Sequence, residues 1–205
     1  MPRPALRLTY TRPGDETAVE FINVHLKSKL LEFPGGRFSP KDESERATVA
    51  QFALQRRAAE AVTIREHASD LLQADRHVVV LGDFNDGPQA ATTEILYGPI
   101  GSQPDGPESS RQGNVAFHRS DKDDGARLFN ITLLVAPERR WSRRYAGQNE
   151  LIDHILVSAS LMPRRDGRFQ VPEVEIQNED APVRWEQPVV DGIEPDHAPV
   201  VVRFV

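Results

Sequence analysis

The chain has 205 residues, of which 39% are hydrophobic and 27% charged, and its formal net charge is −6. These values are ordinary for a globular protein and exclude a chain that is disordered throughout, while the acidic charge argues against tight nonspecific binding to duplex DNA. The absence of cysteine excludes disulfides and thiolate metal sites, so any metal must be held by oxygen or imidazole ligands, which favours Mg, Mn or Ca.

Two strands joined as a hairpin are the first predicted elements. Leu6 to Thr11 and Val19 to Leu26 carry the apolar residues of the two strands, and Pro13, Gly14 and Asp15 between them form a turn. The second strand delivers His25 near its end.

A long helix is predicted next, after a loop over residues 33–38. Residues 39–43 supply helix-start chemistry and an acidic first turn, and the segment from Glu45 to about Gln73 is rich in helix formers. Its apolar stripe comprises Ala50, Ala53, Leu54, Ala61, Ile64, Ala68, Leu71 and Leu72. Such a stripe is typical of an amphipathic helix that covers a sheet.

The segment His77 to Leu81 is apolar without alternation, which predicts a central strand buried on both faces and ended by Gly82. A second helix is predicted from Gly87 and Pro88 to about Tyr97, because proline suits a first-turn position. A long loop follows over residues 98–124, which are rich in Gly, Pro, Ser and Asp.

Three further strands are predicted in the last third of the chain. Leu151 to Val157 and Gln170 to Ile176 precede a polar segment from Gln177 to Glu194, and Ala198 to Val205 closes the chain as a last strand. Strands with helices between them predict a layered α/β domain with some antiparallel pairing.

Polar residues lie at or just beyond the ends of four apolar runs: Asn23–Leu26, Gly82–Asn85, Ile152–Ile155 and Asp196–Pro199. The end of a strand is where a sheet delivers side chains to a shared rim. One such coincidence is common, whereas four indicate a shared site.

Asp83 and Asn85 stand two residues apart, so in an extended backbone they face the same side. A carboxylate there is able to orient or deprotonate a water, and an amide offers a donor to a phosphoryl oxygen. The alternative is a plain turn, since Asp and Asn are common turn formers. The preceding valine-rich strand favours the functional interpretation.

Asp153 is a carboxylate inside an apolar run and needs a partner if it is buried. His154 points to the other face of the same strand and is expected to be a structural histidine. Asp196 and His197 are adjacent, so their side chains must reach different partners.

Basic residues near these motifs are ambiguous. Lys27 and Lys29 either steer an anionic substrate or belong to an exposed strand end. The cluster around Trp141 either offsets the acidic charge at one rim or forms a solvated loop, and on its own the loop is favoured. That cluster comprises Arg139, Arg140, Arg143 and Arg144.

Taken together and in this order, the four motifs resemble the endonuclease/exonuclease/phosphatase superfamily of DNase-like, metal-dependent phosphodiesterases. Gly82-Asp83-Phe84-Asn85 is the most specific of them. The resemblance implies a layered α/β sandwich of mixed, largely antiparallel sheets flanked by helices. It also implies a nuclease-like hydrolase in which water attacks a phosphodiester with the help of Mg²⁺, or of Mn²⁺ as an alternative ion.

The resemblance assigns roles to five catalytic residues. Asp83 positions the nucleophilic water, and Asn85 holds that water and the scissile phosphate. His25 donates to a phosphoryl oxygen as charge builds up in the transition state. Asp153 accepts a hydrogen bond from His197 and favours its imidazolium form, and His197 contacts the phosphate.

The remaining implied roles concern metal and substrate binding. Asp196 is the expected metal ligand, directly or through water. Pro195 replaces the serine of the family motif, which affects the local backbone and leaves the chemistry intact. Lys27, Arg143 and Arg144 are expected to bind the phosphodiester substrate, of which nucleic acid is one candidate; a fold alone does not fix the substrate.

The family domain contains two elements that this sequence does not match, an Asn on the first strand and a Glu that is the principal metal ligand. We therefore expect residues 1–205 to form a single domain that is N-terminally incomplete, its C-terminal portion. The alternative function is a catalytically impaired fragment that acts as a binding or scaffold module, with self-association through unpaired sheet edges. No run approaches the roughly 18 apolar residues of a membrane span and no secretory signal is evident, so a cytoplasmic protein is expected unless a signal precedes this sequence.

Overall fold

The computed structural model describes residues 4–11, 13–14, 17–97, 126–162, 164–165, 168–169, 173–178 and 196–203. The strands within these ranges are β1 Leu6–Thr11, β2 Ala18–His25, β3 His77–Asp83, β4 Leu128–Asn130, β5 Arg143–Tyr145, β6 Gln148–Glu150, β7 Asp153–Ser158, β8 Arg164–Arg165, β9 Arg168–Phe169, β10 Glu173–Ile176 and β11 Val200–Arg203. The helices are α1 Glu43–Gln73 and α2 Ala91–Tyr97, with short 3-10 turns at Ile131–Leu134, Pro137–Arg139 and Ala159–Leu161.

The main sheet has five strands among the described residues, in the order β1-β2-β3-β7-β4. β2 and β3 run parallel because the long helix α1 crosses over between them, and the other pairs are antiparallel. A two-stranded sheet of β10 and β11 lies over one face. The predicted layered α/β class with mixed, largely antiparallel pairing is confirmed.

Both faces of the main sheet are buried in its central part, away from the edge strand β1. α1 and α2 cover one face, where Ile22, Val78, Val80, Leu156 and Phe84 lie at the centre of the core. The second face packs against the 3-10 turns and the β10–β11 sheet. Its fully or nearly fully buried members are Val79, Phe129, Ile131, Leu134, Val157 and Met162.

α1 begins two residues earlier than predicted, because Asp42 caps it by accepting from the backbone N–H of Glu45 at 2.8 Å. The prediction that Leu54 belongs to the buried stripe was wrong: its side chain is 48% exposed. It lies one position past Ala53, about 100° around the helix from the buried face. Arg57, which the prediction left out, occupies that face instead.

The predicted start of the second helix at Gly87 and Pro88 was also wrong, since α2 begins at Ala91. Residues 87–90 form a turn closed by the N–H of Ala90, which donates to the carbonyl of Gly87 at 3.1 Å. The last strand was predicted to begin too early, as β11 starts at Val200 and not at Ala198; of the predicted strand from Gln170 to Ile176 the structure describes β10, and residues 170–172 lie outside the described ranges. The predicted loop 98–124 and nearly all of the predicted polar segment 177–194 lie outside the described residues.

β1 is an edge of the described sheet, and all six of its residues are exposed. Leu6, Leu8 and Tyr10 share one face and are 52–66% exposed. The opposite face carries Arg7, which donates to the fully buried Glu20 of β2 at 2.9 Å. On one face, β1 is therefore linked to a buried carboxylate of β2, in addition to the backbone pairing of the two strands. Its other face is open to solvent. No helix within the described ranges is long and apolar enough to span a bilayer.

Candidate active site

The strand register brings three of the predicted site residues into one row. His25 at the end of β2 pairs with Asp83 at the end of β3, and Asp83 pairs with Asp153 at the start of β7. The row is fixed by backbone hydrogen bonds on both sides of β3, from Leu26 N to the carbonyl of Asp83 at 3.0 Å and from Phe84 N to the carbonyl of Ile152 at 2.8 Å. The shared rim expected from the sequence is present.

Asp83 lies at the centre of this row. Its Oδ1 accepts the backbone N–H of Asn85 at 2.7 Å, and its Oδ2 accepts from Asn85 Nδ2 at 3.1 Å and lies 3.3 Å from His25 Nε2. An ionised carboxylate offers about four acceptor positions, so a water is able to take the remaining one. The side chain of Asp83 is 15% exposed and that of His25 is 50% exposed, which leaves the pair open to a substrate.

The pKa of Asp83 is raised. Burial is the main cause and the negative charge of Asp153 adds to it, against the hydrogen bond from the Asn85 backbone and the charges of His197 and His25. A carboxylate with a raised pKa is a stronger base for an attacking water than an exposed one.

Asn85 adopts a left-handed backbone with φ of +53°. Its amide donates to Asp83 and, at 2.9 Å, to the carbonyl of Leu26, so it braces the carboxylate and the end of β2. The side chain is buried. Both hydrogens of the amide nitrogen are thus directed to protein oxygens.

The expected pair of Asp153 and His197 is present. His197 Nδ1 lies 2.8 Å from Asp153 Oδ2, which also accepts from Ser142 Oγ at 2.6 Å. His197 is held in this position by pairing with the start of β5. Arg143 and His197 form an antiparallel bridge, and Ala198 N donates to the carbonyl of Ser142 at 2.7 Å. A cavity of about 270 Å³ opens beside Asp153 and His197.

His197 has a raised pKa. The hydrogen bond to Asp153 is the largest cause, burial opposes it, and the negative charges of Asp153, Asp83 and Asp196 contribute. With Nδ1 directed to the carboxylate, Nε2 is the ring nitrogen that faces away from Asp153, and it is a donor when the imidazole is protonated. The site therefore combines a carboxylate base with two imidazoles, those of His25 and His197.

The three predicted substrate-binding cations are partly engaged with the protein. Lys27 Nζ donates to the carbonyls of Ser28 and Leu30 at 3.0 and 2.9 Å. Arg143 adjoins His197 through the backbone bridge, and its guanidinium lies over the Tyr145 ring at 4.7 Å.

Arg144, one residue further along the same strand, stacks over Trp141 at 4.9 Å and donates to Asn149 Oδ1 at 2.9 Å. Arg143 thus stands beside His197, and Arg144 is the next residue along the β5–β6 hairpin.

His154 has the structural environment that the sequence led us to expect. Its ring is buried between Asn130 Nδ2, 3.1 Å from Nδ1, and the carbonyl of Asp86, 2.9 Å from Nε2. Burial lowers its pKa to about 4, so the ring is neutral at pH 7. An amide donor at Nδ1 and a carbonyl acceptor at Nε2 are satisfied together by the tautomer protonated at Nε2.

Three residues that matter to the site were not predicted from the sequence. Ser142 fixes Asp153, and Arg57 and Asp86 form a buried ion pair beneath the loop after β3, with a distance of 2.9 Å. Asp86 follows the Gly82–Asn85 motif directly, and Arg57 stands at the helical spacing between the buried Ala53 and Ala61. These two positions are the features of the sequence from which the ion pair could have been predicted.

A protein metal centre needs several oxygen or imidazole donors that converge on one point. Within the described ranges, no group of three or more His, Asp or Glu side chains converges to hold a metal ion. Asp196 is partly exposed beside His197 and is able to offer one carboxylate. These side chains alone therefore do not make up a metal centre.

Comparisons with known proteins give one family match. The model of the Endonuclease/Exonuclease/phosphatase family matches residues 52–175, which is more than half of the chain. Two similar solved structures are the 3′ phosphatase NExo from Neisseria bound to product DNA hairpin and the 3′-5′ exonuclease NExo from Neisseria meningitidis. The first is 20% identical in sequence, and the match covers 100% of this chain and 72% of that chain. The second is 21% identical, and the match covers 99% of this chain and 71% of that chain. The TM-score is 0.45 in both comparisons. The comparison with curated proteins gave no match.

Proposed function

Because the chain belongs to the Endonuclease/Exonuclease/phosphatase family, we propose that it is a metal-dependent phosphodiesterase of the nuclease type. The observation that supports this most directly is the row of His25, Asp83 and Asp153 across three strand ends, completed by His197. The arrangement offers a base for the attacking water and two imidazoles that are able to donate hydrogen bonds to a phosphodiester.

In the proposed reaction Asp83 accepts a proton from water as the water oxygen forms a bond to phosphorus. His25 and His197 donate hydrogen bonds to phosphoryl oxygens, whose negative charge grows in the transition state. Asp153 orients His197 and favours its imidazolium form, and Ser142 holds Asp153. The bond from phosphorus to the leaving oxygen breaks on the side opposite the water, and that oxygen takes up a proton from solvent.

Mg²⁺, with Mn²⁺ as an alternative, is the proposed cofactor. Such an ion supplies Lewis-acid polarisation of the phosphoryl group. Asp196 is the proposed protein ligand, and Mg²⁺ tolerates so few protein ligands because it usually keeps several waters and binds substrate phosphate. We expect weak affinity, with activity that rises over the millimolar range of Mg²⁺.

The test is hydrolysis of bis(4-nitrophenyl) phosphate and of plasmid DNA by the purified chain with Mg²⁺, Mn²⁺ or EDTA. Asp83→Asn and His197→Ala are expected to lower the rate about 100-fold or more, in the range typical of general acid–base groups. Asp70→Asn and His67→Ala on α1 are matched controls that leave the row intact. Activity that survives EDTA and both site variants would come from another protein and would overturn the proposal.

We propose nucleic acid as the substrate class, with Lys27, Arg143 and Arg144 as its phosphate contacts. Arg143 pairs with His197 across the backbone bridge, and Arg144 follows it on the same strand. Because adjacent side chains of a strand point to opposite faces, we propose one phosphate contact on each face of the hairpin.

Replacing both arginines by glutamine should weaken plasmid cleavage and reduce its salt dependence by about one unit of slope per lost contact. Hydrolysis of the small chromogenic diester should not change. Lys41→Gln combined with Arg46→Gln, at two exposed positions around the start of α1, is the control of equal charge change. Unchanged plasmid cleavage and salt dependence in the double variant would remove the nucleic-acid hypothesis.

A binding module with impaired catalysis is the second candidate. Two observations favour it: the described residues hold no three-ligand metal cluster, and Leu6, Leu8 and Tyr10 form an exposed apolar face on the edge strand β1. We propose that a second copy of the chain covers this face. Light scattering should then show a dimer that Leu8→Lys dissociates, in a protein that does not hydrolyse either diester.

A further inference from the structure

A buried charged cluster lies beneath the loop that carries Asp83 and Asn85. It comprises Arg57 of α1, Asp86 of that loop and Thr92 of α2, and we call these three residues the clasp. Arg57 is 5% exposed and Asp86 is 8% exposed. Buried charges are costly unless they are paired and hydrogen-bonded, so the contacts of the clasp decide what it does.

Arg57 joins two segments that each carry a catalytic residue. Its Nε donates to Asp86 Oδ2 at 2.9 Å, and its Nη1 donates to the carbonyl of Lys27 at 3.0 Å. Lys27 stands two residues after His25, and Asp86 stands three residues after Asp83. One planar guanidinium therefore holds the exits of β2 and β3 at a fixed separation.

Asp86 also contacts residues of three further segments of the chain. Thr92 Oγ1 donates to its Oδ2 at 2.6 Å, Lys29 Nζ lies 3.2 Å from its Oδ1, and His154 Nε2 lies 2.9 Å from its carbonyl. Burial acts to raise the pKa of Asp86, but the hydrogen bond from Thr92 and the charges of Arg57 and Lys29 outweigh it, and the pKa is lowered. The carboxylate is thus ionised at neutral pH.

We propose that Arg57 and Asp86 are positioning residues for phosphodiester hydrolysis, which set the distance between His25 and Asp83 without touching the substrate. The last backbone bond between the two strands runs from Leu26 N to the carbonyl of Asp83 at 3.0 Å, and the clasp continues this link past the end of the ladder. The kinetic part of this inference rests on the proposed function. A displacement of about 1 Å between catalytic groups is enough to lower a rate about 100-fold.

Steady-state kinetics on the chromogenic diester test the first consequence. Arg57→Met should lower kcat at least about tenfold and leave KM within about twofold, because misplaced catalytic groups weaken transition-state rather than ground-state interactions. Arg57→Lys should give an intermediate kcat, since one ammonium does not span both acceptors. The matched control is Arg65→Met: Arg65 is a partly buried arginine of the same helix that donates to the carbonyls of Leu96 and Ala126.

Amide hydrogen exchange followed by NMR tests the second consequence without any need for activity. In Arg57→Met the N–H of Asn85, bonded to Asp83 Oδ1, and the N–H of Lys27, bonded to Glu60 Oε2, should exchange about tenfold faster than in Arg65→Met. Asp86→Asn, which keeps the shape of the side chain, should reproduce the effect if Arg57→Met does not fold.

Two results would overturn the inference: equal losses of kcat in Arg57→Met and Arg65→Met, or unchanged exchange at Asn85 and Lys27. If the wild-type chain hydrolyses no diester, the proposed function fails, and the exchange experiment alone decides whether the clasp holds the catalytic loop.

Discussion

Gly82 is the position where one added methyl group should do most damage. Its φ is +127°, and a Cβ built on it would lie 2.1 Å from the carbonyl oxygen of Val24 and 2.8 Å from Asn23 Oδ1. Cβ contacts under 3.0 Å essentially never occur, so in Gly82→Ala β2 and β3 must separate locally by about 1 Å. The unfavourable backbone and the overpacking each cost about 1–3 kcal/mol, or about 4 kcal/mol together.

For a chain of this length, such a loss lowers Tm by roughly 8–16 °C. The matched control is Gly36→Ala, where φ is +72° and no atom lies within 4 Å of the added Cβ, so only about 1 kcal/mol of backbone strain is expected.

The crowded pair of Val24 and Gly82 directly precedes the pair of His25 and Asp83. A local opening of about 1 Å should therefore reduce diester hydrolysis about 100-fold as well. Thermal unfolding and kinetics of both alanine variants measure the two effects. If Gly82→Ala melted within about 2 °C of Gly36→Ala, the reasoning about the close strand approach would be wrong, whatever the activity.

Three further predictions concern titration. Asp153→Asn should lower the pKa of His197, as an NMR titration would show, and reduce hydrolysis about 100-fold. Because the folded-state pKa of His197 is raised, the stability lost in this variant should be larger at pH 5 than at pH 9. His154 has a pKa of about 4 in the folded chain, so it binds a proton more readily in the unfolded chain. The free energy of unfolding measured in urea should therefore decrease by up to about 3 kcal/mol as pH falls from 6.5 to 4. His154→Gln should remove this pH dependence. The hydrogen bond from Arg7 is the largest cause that holds the pKa of Glu20 at about 2, so Glu20→Gln should destabilise the chain at pH 7 and lose its effect as pH falls from 4.5 to 2.

The sequence predicted which residues of the candidate site lie together because polar residues at the ends of apolar strands form a recognisable pattern. The run from His77 to Leu81 has no polar alternation, so it was recognised as a central strand, and residues just beyond such a strand share a rim with their neighbours. The hydrogen bond between Asp153 and His197 joins residues 44 positions apart, and it was expected from the family resemblance rather than from spacing.

The parts that were missed depend on contacts that no local pattern reports. Ser142 is polar and stands between arginines, yet it is fully buried because its backbone pairs with Ala198 and its hydroxyl holds Asp153. Arg57 is one of several arginines on α1, and nothing in the local sequence shows that Asp86, 29 residues away, is its partner. The three-residue strand β4 is too short to show a period of two.

Asn85 has a consequence for anyone who wishes to transplant this chemistry. Its backbone is left-handed, with φ of +53°, just past the end of β3, and there both its N–H and its side-chain amide donate to the carboxylate of Asp83. Asn and Asp tolerate that conformation far better than most residues do. The Asp83 carboxylate is therefore portable to another scaffold only together with this turn: a graft of isolated side chains would leave behind the backbone that brings both donors of Asn85 to it.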